Sequence, residues 1–355
     1  MDSPTKHPQP PSLDHARILL IKPSSLGDIV HALPVVSALK GRWPTAHVTW
    51  VVKRQWADLV ERAEGVDRVW PVDENARSWI GQVRALRAER FDLAVDLQGL
   101  FRSGALAGLC GAPRRIGFAN GREGSPWFYT QLVGVPRREM HAVDRYLLVA
   151  EALGARAEGP PQFRFNITDS DRAVVQSALL GHGVSADRPW MAVHVSARWP
   201  TKRWPLSSFG AVLDQLNQAG LGPTVLIGSS EDRRDVDQLR ALTNGSFIDL
   251  TGLVPLGCLP ALLSKAGVLI TNDSGPMHVA AALGVPVVAM FGPTSAARTG
   301  PYGSGHHVLA GSVPCSPCFS RVCRHVPELE CLHLIKPNEV VEAARRLVTT
   351  HAIHR

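Results

Sequence analysis

Short apolar runs alternate with amphipathic stretches along almost the whole chain, and few folds accept that pattern. Runs rich in Val, Ile and Leu, each followed by a helix-period stretch, predict parallel sheets wrapped by helices. In the first half the strands fall at Arg17–Lys22, His47–Val52, Arg68–Val72 and Leu93–Leu97, with helices over 29–41, 54–63, 76–89 and 100–110. The Gly- and Pro-rich segment Gly154–Arg164 interrupts the series and reads as a linker. A second series follows, with strands at Met191–Val195, Thr224–Gly228, Ile248–Leu250, Val268–Asn272 and Val287–Phe291. Its helices fall at 206–219, 232–243, 256–265, 275–283 and 338–348. No internal repeat with a period of 20–50 residues is visible. Two Rossmann-like units are therefore expected, with ligands at the carboxyl ends of their strands.

The 355 residues suit two such domains, and 45% hydrophobic with 19% charged residues is a globular balance rather than a disordered one. No stretch approaches 18 uninterrupted apolar residues, so no spanning helix is expected. The opening residues, M-D-S-P-T-K-H-P-Q-P-P-S, lack the apolar core of a signal peptide and read as a flexible Pro-rich tail over 1–16. Six cysteines in a chain this long do not make a disulfide scaffold, which points to the cytoplasm. The formal net charge is +7, and of the 38 basic residues only seven are lysines. Arginine suits the forked grip on phosphate or carboxylate. From 97 to 145 there are seven arginines against three acids. That excess is either ordinary surface or a face for an acidic partner: nucleic acid, anionic lipid or a phosphorylated sugar.

Three strand-to-helix junctions carry candidate chemistry. The first, I-K-P-S-S-L-G-D-I-V-H at 21–31, has only Gly27 where a dinucleotide fingerprint needs three spaced glycines. It offers Asp28, with Ser24, Ser25 and His31 nearby. Asp28 is either the cap of a helix starting at Ile29 or a general base. The second is V-L-I-T-N-D-S-G-P-M-H-V-A-A-A-L-G-V-P at 268–286. Gly275 permits close backbone approach and Pro276 suits a first helical turn, so the amides of Met277 and His278 would form an anion site at a positive helix end. The plainer reading is a helix capped by Asp273. The third, H-V-S-A-R-W-P-T-K-R-W-P at 194–205, sets Lys202 and Arg203 between two Trp-Pro pairs. The pair is either a phosphate grip on a stiff loop or two snorkelling surface cations.

Taken together, S-S-L-G-D-I-V-H, K-R-W-P and N-D-S-G-P-M-H-V-A-A-A-L-G-V-P-V-V-A-M-F-G-P-T resemble the ADP-heptose:lipopolysaccharide heptosyltransferases, glycosyltransferase family 9. F-D-L-A-V-D-L-Q-G-L-F-R-S at 91–103 and R-R-I-G-F at 114–118 extend the resemblance, which runs in order over 17–348. It implies a GT-B fold, an α/β architecture of two Rossmann-like domains facing each other across a cleft. Residues 17–160 would bind the acceptor and 161–355 the ADP-sugar. It also implies inverting transfer of heptose from ADP-heptose to the Kdo/heptose inner core, without a metal or other cofactor. By that resemblance Asp28 is the base, Lys202 grips the donor phosphates and Asp273 holds the sugar hydroxyls. Ser196, Ser274, Gly275, Met277 and His278 would lie along the pyrophosphate, Glu231 or Asp232 at the ribose, and Thr251, Gly252 and Val254 beside the adenine.

On the acceptor side the resemblance implies Ser25, Arg102, Arg114, Arg115 and Arg122. Its Q-G-L-x-R-S and R-E segments are closest to the enzymes that add the first heptose to Kdo-lipid A. An acceptor of that kind implies peripheral contact with the anionic inner membrane from the cytoplasm, and excludes nucleic acid. Two rivals remain: a nucleotide-sugar epimerase on the same scaffold, and a non-catalytic sensor of ADP-sugar. A family member using another sugar or acceptor is the nearer alternative. Cys315, Cys318, Cys323 and Cys331, with His325 and His333 interleaved, are open to three readings: structural zinc, disulfides or free thiols. Cys110 and Cys258 fall in helical patterns and read as core.

Overall fold

The computed structural model describes residues 12–73, 76–137, 139–156, 159–185 and 190–353. The chain divides into two compact units, Met1–Arg164 and Phe165–Arg355. Arg164 belongs to the first because its carbonyl accepts from the Glu64 N–H and its guanidinium pairs with the Glu64 carboxylate. Of the expected tail, residues 1–11 lie outside the described residues, while Leu13 and Ala16 are already buried.

The first unit contains β1 Arg17–Ile21, β2 His47–Lys53, β3 Arg68–Val72, β4 Leu93–Asp96, β5 Arg114–Phe118 and β6 Gln131–Val133. They form one parallel sheet in the order β3-β2-β1-β4-β5-β6. Helices α1 Leu26–Arg42, α2 Ala57–Val60, α3 Ala76–Ala88, α4 Phe101–Leu109 and α5 Ala142–Leu153 cover it. The second unit repeats the plan with β7 Met191–His194, β8 Thr224–Leu226, β9 Ile248–Asp249, β10 Val268–Asn272, β11 Val287–Phe291 and β12 His307–Ala310. Its order is β12-β11-β10-β7-β8-β9, again parallel throughout. The helices here are α6 Asp169–Gly181, α7 Leu206–Gln218, α8 Arg233–Arg240, α9 Leu259–Leu263, α10 Gly275–Ala282, α11 Ala296–Thr299, α12 Glu330–His333 and α13 Pro337–Ile353.

The strands expected at the sheet centres are present because they are apolar on both faces, as a sheet covered on both sides requires. Residues 18–21 and 268–272 are almost wholly inaccessible. The elements not anticipated have weaker patterns. β5 opens on two arginines, β6 has three residues, and β12 is a partly exposed edge. The strand order places the β1, β4 and β5 junctions side by side in the first unit, and those of β7 and β10 side by side in the second.

Candidate active site

The first helix begins at Leu26, not Ile29, with Ser25 at its N-cap. Asp28 is thus the third residue of the helix rather than its cap. Its Oδ2 reaches back to accept from the Ser25 N–H at 3.0 Å and the Ser25 hydroxyl at 2.8 Å. The first of these satisfies a backbone donor that a helix start otherwise leaves open. The other oxygen, Oδ1, accepts from the Tyr146 hydroxyl at 3.2 Å and lies 3.9 Å from the Lys22 ammonium. Burial pushes the Asp28 carboxyl up, but Lys22, His31 and the two Ser25 hydrogen bonds outweigh it and hold it below the usual carboxylate range. The group is ionised at neutral pH, and its side chain is 37% exposed.

Beside it, at the end of β4, Asp96 is fully buried. One oxygen accepts from the Gln98 and Gly99 N–H groups at 2.7 and 3.1 Å, and the other from the Tyr129 hydroxyl at 2.6 Å. Burial raises the Asp96 carboxyl against those bonds. Lys22, Asp96, Tyr129 and Tyr146 carry no such signal in the sequence. Lys22 falls inside the first junction without standing out from it; Tyr146 lies on α5, a helix the sequence pattern does not predict.

The acceptor arginines separate into two groups. Arg102 and Arg122 are exposed and sit in the connections that leave the carboxyl ends of β4 and β5, the end of the sheet that carries Asp28. The Arg122 N–H bonds the Gly99 carbonyl at 2.8 Å, which ties those two connections together. Arg114 and Arg115 do not join them. They open β5, level with Leu93 and Ala94 at the amino end of the sheet, whereas Asp96 is level with Gly117. The Arg115 guanidinium donates to the Phe128 carbonyl at 2.8 Å and the Ala112 carbonyl at 2.9 Å. Its role is to hold the chain between β5 and β6. The expectation that both line the acceptor site is corrected: position and hydrogen bonding make Arg115 a structural brace.

In the second unit the loop after β7 is stiff for more reasons than its prolines. Trp204 is buried, its backbone N–H donates to Asn272 Oδ1 at 2.9 Å, and its indole N–H donates to the Leu332 carbonyl at 3.1 Å. Asn272 completes the tie by donating to the Val195 carbonyl at 2.7 Å. This frame turns Lys202 inward, where its ammonium meets Asp273 Oδ2 at 2.6 Å and lies over the Trp199 ring. Thr294, just past β11, donates to the same oxygen at 2.6 Å. Neighbouring Arg203 is a brace instead, bonding the Ala197 carbonyl and Asp235. The three residues Lys202, Asp273 and Thr294 converge from three strand ends, and Asp273 does not cap α10.

Ser274 is the N-cap of α10, but its side chain makes no cap hydrogen bond to the helix. Its hydroxyl sits 3.0 Å from His194 Nδ1 and 2.9 Å from Thr271 Oγ1. Gly275 and Pro276 open the helix, and no side chain covers its positive end from the cap position. The Met277 side chain is wholly buried and that of His278 nearly so. Only their amides can serve an anion.

The remaining donor candidates are spread around that junction. The Ser196 hydroxyl is buried and donates to Asp235 at 2.6 Å. Asp232 lies 3.8 Å from His194 and accepts from the Ser229 N–H and hydroxyl. Burial would raise its carboxyl, but His194 and Ser229 hold it well below the usual range. Glu231 is exposed in the adjacent turn. Gly252 has φ +73°, the left-handed conformation that glycine accepts readily, and its N–H bonds the Gly228 carbonyl. Thr251 is buried next to it, while Val254 is half-buried.

All six cysteines are free thiols, and Cys110 and Cys258 are buried as expected. Cys315, Cys318, Cys323 and Cys331 line one cavity of about 20 Å³ together with His325 and Glu330. Burial and the neighbouring thiols push the Cys331 thiol up. Among the described residues, no three His, Cys, Asp or Glu side chains are placed to hold a metal ion.

A sequence profile for glycosyltransferase family 9 (heptosyltransferase) matches residues 80–328. The chain belongs to that family. It is 28% identical to lipopolysaccharide heptosyltransferase 1 of Pseudomonas aeruginosa over 330 residues, 88% of this chain and 89% of that protein. Among solved structures it resembles a glycosyltransferase family 9 protein of Veillonella parvula, with TM-score 0.84 and 26% identity, over 96% of this chain and 99% of that one. It likewise resembles the ADP-heptose lps heptosyltransferase II of E. coli, with TM-score 0.78 and 26% identity, over 95% and 99%. This glycosyltransferase therefore has the GT-B architecture to which its two Rossmann-like sheets point.

Proposed function

We propose that this glycosyltransferase moves heptose from ADP-heptose to the inner core of lipopolysaccharide, adding the first heptose to Kdo-lipid A. The observation that carries the donor half is the Lys202–Asp273–Thr294 cluster beside the α10 terminus that Ser274 leaves uncovered. A cation beside a positive helix end suits a pyrophosphate. A buried carboxylate with a hydroxyl neighbour suits sugar hydroxyls. The names of the relatives support the sugar and the acceptor.

The reaction is a single displacement with inversion. Asp28 takes the proton as the acceptor oxygen forms its bond to the anomeric carbon. The bond from that carbon to the β-phosphate oxygen breaks, and its electron pair leaves on ADP. Lys202 and the amides of Gly275, Met277 and His278 stabilise the charge gathering there, the preorganised electrostatic role that no metal needs to share. Ser196, Glu231, Asp232, Thr251, Gly252 and Val254 are assigned to the nucleotide, and Ser25, Arg102 and Arg122 to the acceptor. The enzyme works as a peripheral protein at the cytoplasmic face of the inner membrane. Among the described residues no helix is long and apolar enough to cross a membrane.

The test is to offer the purified protein ADP-heptose with Kdo-lipid A, and separately with a heptosylated core. A mass gain of one heptose on Kdo-lipid A is expected. A gain only on the heptosylated core would make it a second-heptose enzyme. Consumption of ADP-heptose without any acceptor would put an epimerase in its place.

A further inference from the structure

Lys22 directly follows β1 with 3% of its surface exposed. A lysine so buried cannot greet a substrate, and its charge has to be matched from within the protein. Asp28 and Asp96 supply the match, while Arg145 and Arg122 oppose it; burial lowers the ammonium overall. The amine also lies under the Tyr146 ring, 5.1 Å from its centroid. The two carboxylates are not equivalent. Both oxygens of Asp96 are tied up by Tyr129 and two backbone N–H groups. Asp28 has both hydrogen bonds from Ser25 on Oδ2 and one, from Tyr146, on Oδ1. A carboxylate offers about four lone-pair directions, so one direction on Oδ1 stays open.

We propose that Lys22 and Tyr146 are positioning residues for Asp28, holding Oδ1 so that its open lone pair receives the acceptor hydroxyl's proton. The proposal rests on Asp28 being the base. Lys22 acts from β1 and Tyr146 from α5, so the carboxylate is fixed from two elements that meet only in the fold. The ammonium beside Oδ1 also disfavours the protonated carboxyl, which returns its proton to solvent and resets the base. The other charged or titratable groups around this pair are His31 on α1, Arg145 on α5, Asp96 at the end of β4 and Arg122 in the connection after β5.

The experiment is kcat against pH for Lys22→Met, Tyr146→Phe, Asp28→Asn and the doubles with Asp28→Asn, alongside ADP binding and thermal melts. Loss of the ammonium should cut kcat by about tenfold or more and move the acid limb up by about one pH unit, with ADP affinity unchanged. Tyr146→Phe keeps the ring over the amine and should move both in the same direction by less. In each double, the second change should slow Asp28→Asn no further, because the group acted on is already gone. Effects that multiply instead, or an acid limb that stays in place, would overturn the positioning role. Should Lys22→Met fail to fold, Tyr146→Phe and its double decide by the same criteria. An Asp28→Asn protein as fast as the parent removes the base assignment itself. A slow Asp28→Asn with parent-like Lys22→Met and Tyr146→Phe removes only the positioning.

Discussion

Replacing Lys202 with Met separates the electrostatic part of donor binding from the packing around it. The methionine stem still covers Trp199, but the ammonium 2.6 Å from Asp273 is gone. Asp273 is 4% exposed and keeps the Thr294 hydroxyl, at 2.6 Å, as a side-chain partner. Breaking a fully buried ion pair costs about 3–5 kcal/mol. Lys202 is 19% exposed, so solvent already screens part of the pair, and about 2 kcal/mol is the better figure. In a unit of roughly 190 residues this lowers Tm by about 4–8 °C. A lost charge-assisted contact to phosphate is worth about 1.5–3 kcal/mol, or about ten- to a hundredfold in the Kd for ADP.

Scanning calorimetry reads the first quantity and titration calorimetry with ADP the second. Asp273→Asn is the companion variant, since Asp273 competes with phosphate for the same ammonium. Its removal should leave ADP binding as tight as the parent's or tighter, while sugar transfer falls. Parent-like ADP affinity in Lys202→Met would refute the phosphate role. If Asp273→Asn weakens ADP as much as Lys202→Met does, the pair is a structural unit and the competition argument fails.

Three further outcomes follow from the same structure. Arg115→Ala removes hydrogen bonds to two backbone carbonyls and should destabilise the first unit by about 1–2 kcal/mol, leaving the KM for acceptor as it was; a raised KM with no change in Tm would restore it to the acceptor site. Gly104→Val places a Cβ 2.9 Å from Phe128 and 3.0 Å from the Ser125 carbonyl oxygen, so the 125–128 turn must shift. The expected loss is about 1–3 kcal/mol in urea unfolding, and an unaltered midpoint would mean the turn yields freely. The lowered carboxyls of Asp28 and Asp232 add stability above the ordinary carboxylate range that is lost as pH falls through their folded values. Asp96, raised by burial, has the opposite sign. Asp232→Asn should therefore flatten the fall in stability as pH drops below about 5, and an unchanged slope there would show that His194 and Ser229 do not hold that charge.

Much of the site can be read from the chain because its residues sit at junctions with strong local signals. The ends of β1, β7 and β10 each pair a buried apolar run with small, polar or Pro-containing residues. Lys202 and Asp273 are both visible in that way, but not their ion pair, because they are 71 positions apart and meet through the β7–β10 pairing. Lys22 and Tyr146 are hidden for a related reason. A lysine at a strand end looks solvated until α5 packs over it, and α1 and α5 form one of the most extensive helix contacts in the first unit. The start of α1 falls three residues before its expected place because Asp28 is as good a cap by composition as Ser25. The capping geometry, not residue preference, distinguishes them.

The positive charge of the chain also takes on a different meaning in the fold. A net of +7 built mostly from arginine suggested a broad face for phosphate or anionic lipid. Yet many of these guanidiniums are engaged inside their own unit. Arg115 and Arg203 bond loop carbonyls, Arg233 bonds the Thr251 carbonyl, Arg145 stacks on Phe118, and Arg298 and Arg321 stack on Phe319 and Trp199. A planar fork with five donors can brace a loop and cover an aromatic ring at once, which an ammonium does less well. Arginine content is thus partly a consequence of long connections at the strand ends, and an acceptor charge must find a narrower target. Of the four arginines expected there, Arg102 and Arg122 occupy the sheet end that carries Asp28, and the proposed grip on a phosphorylated acceptor rests on these two.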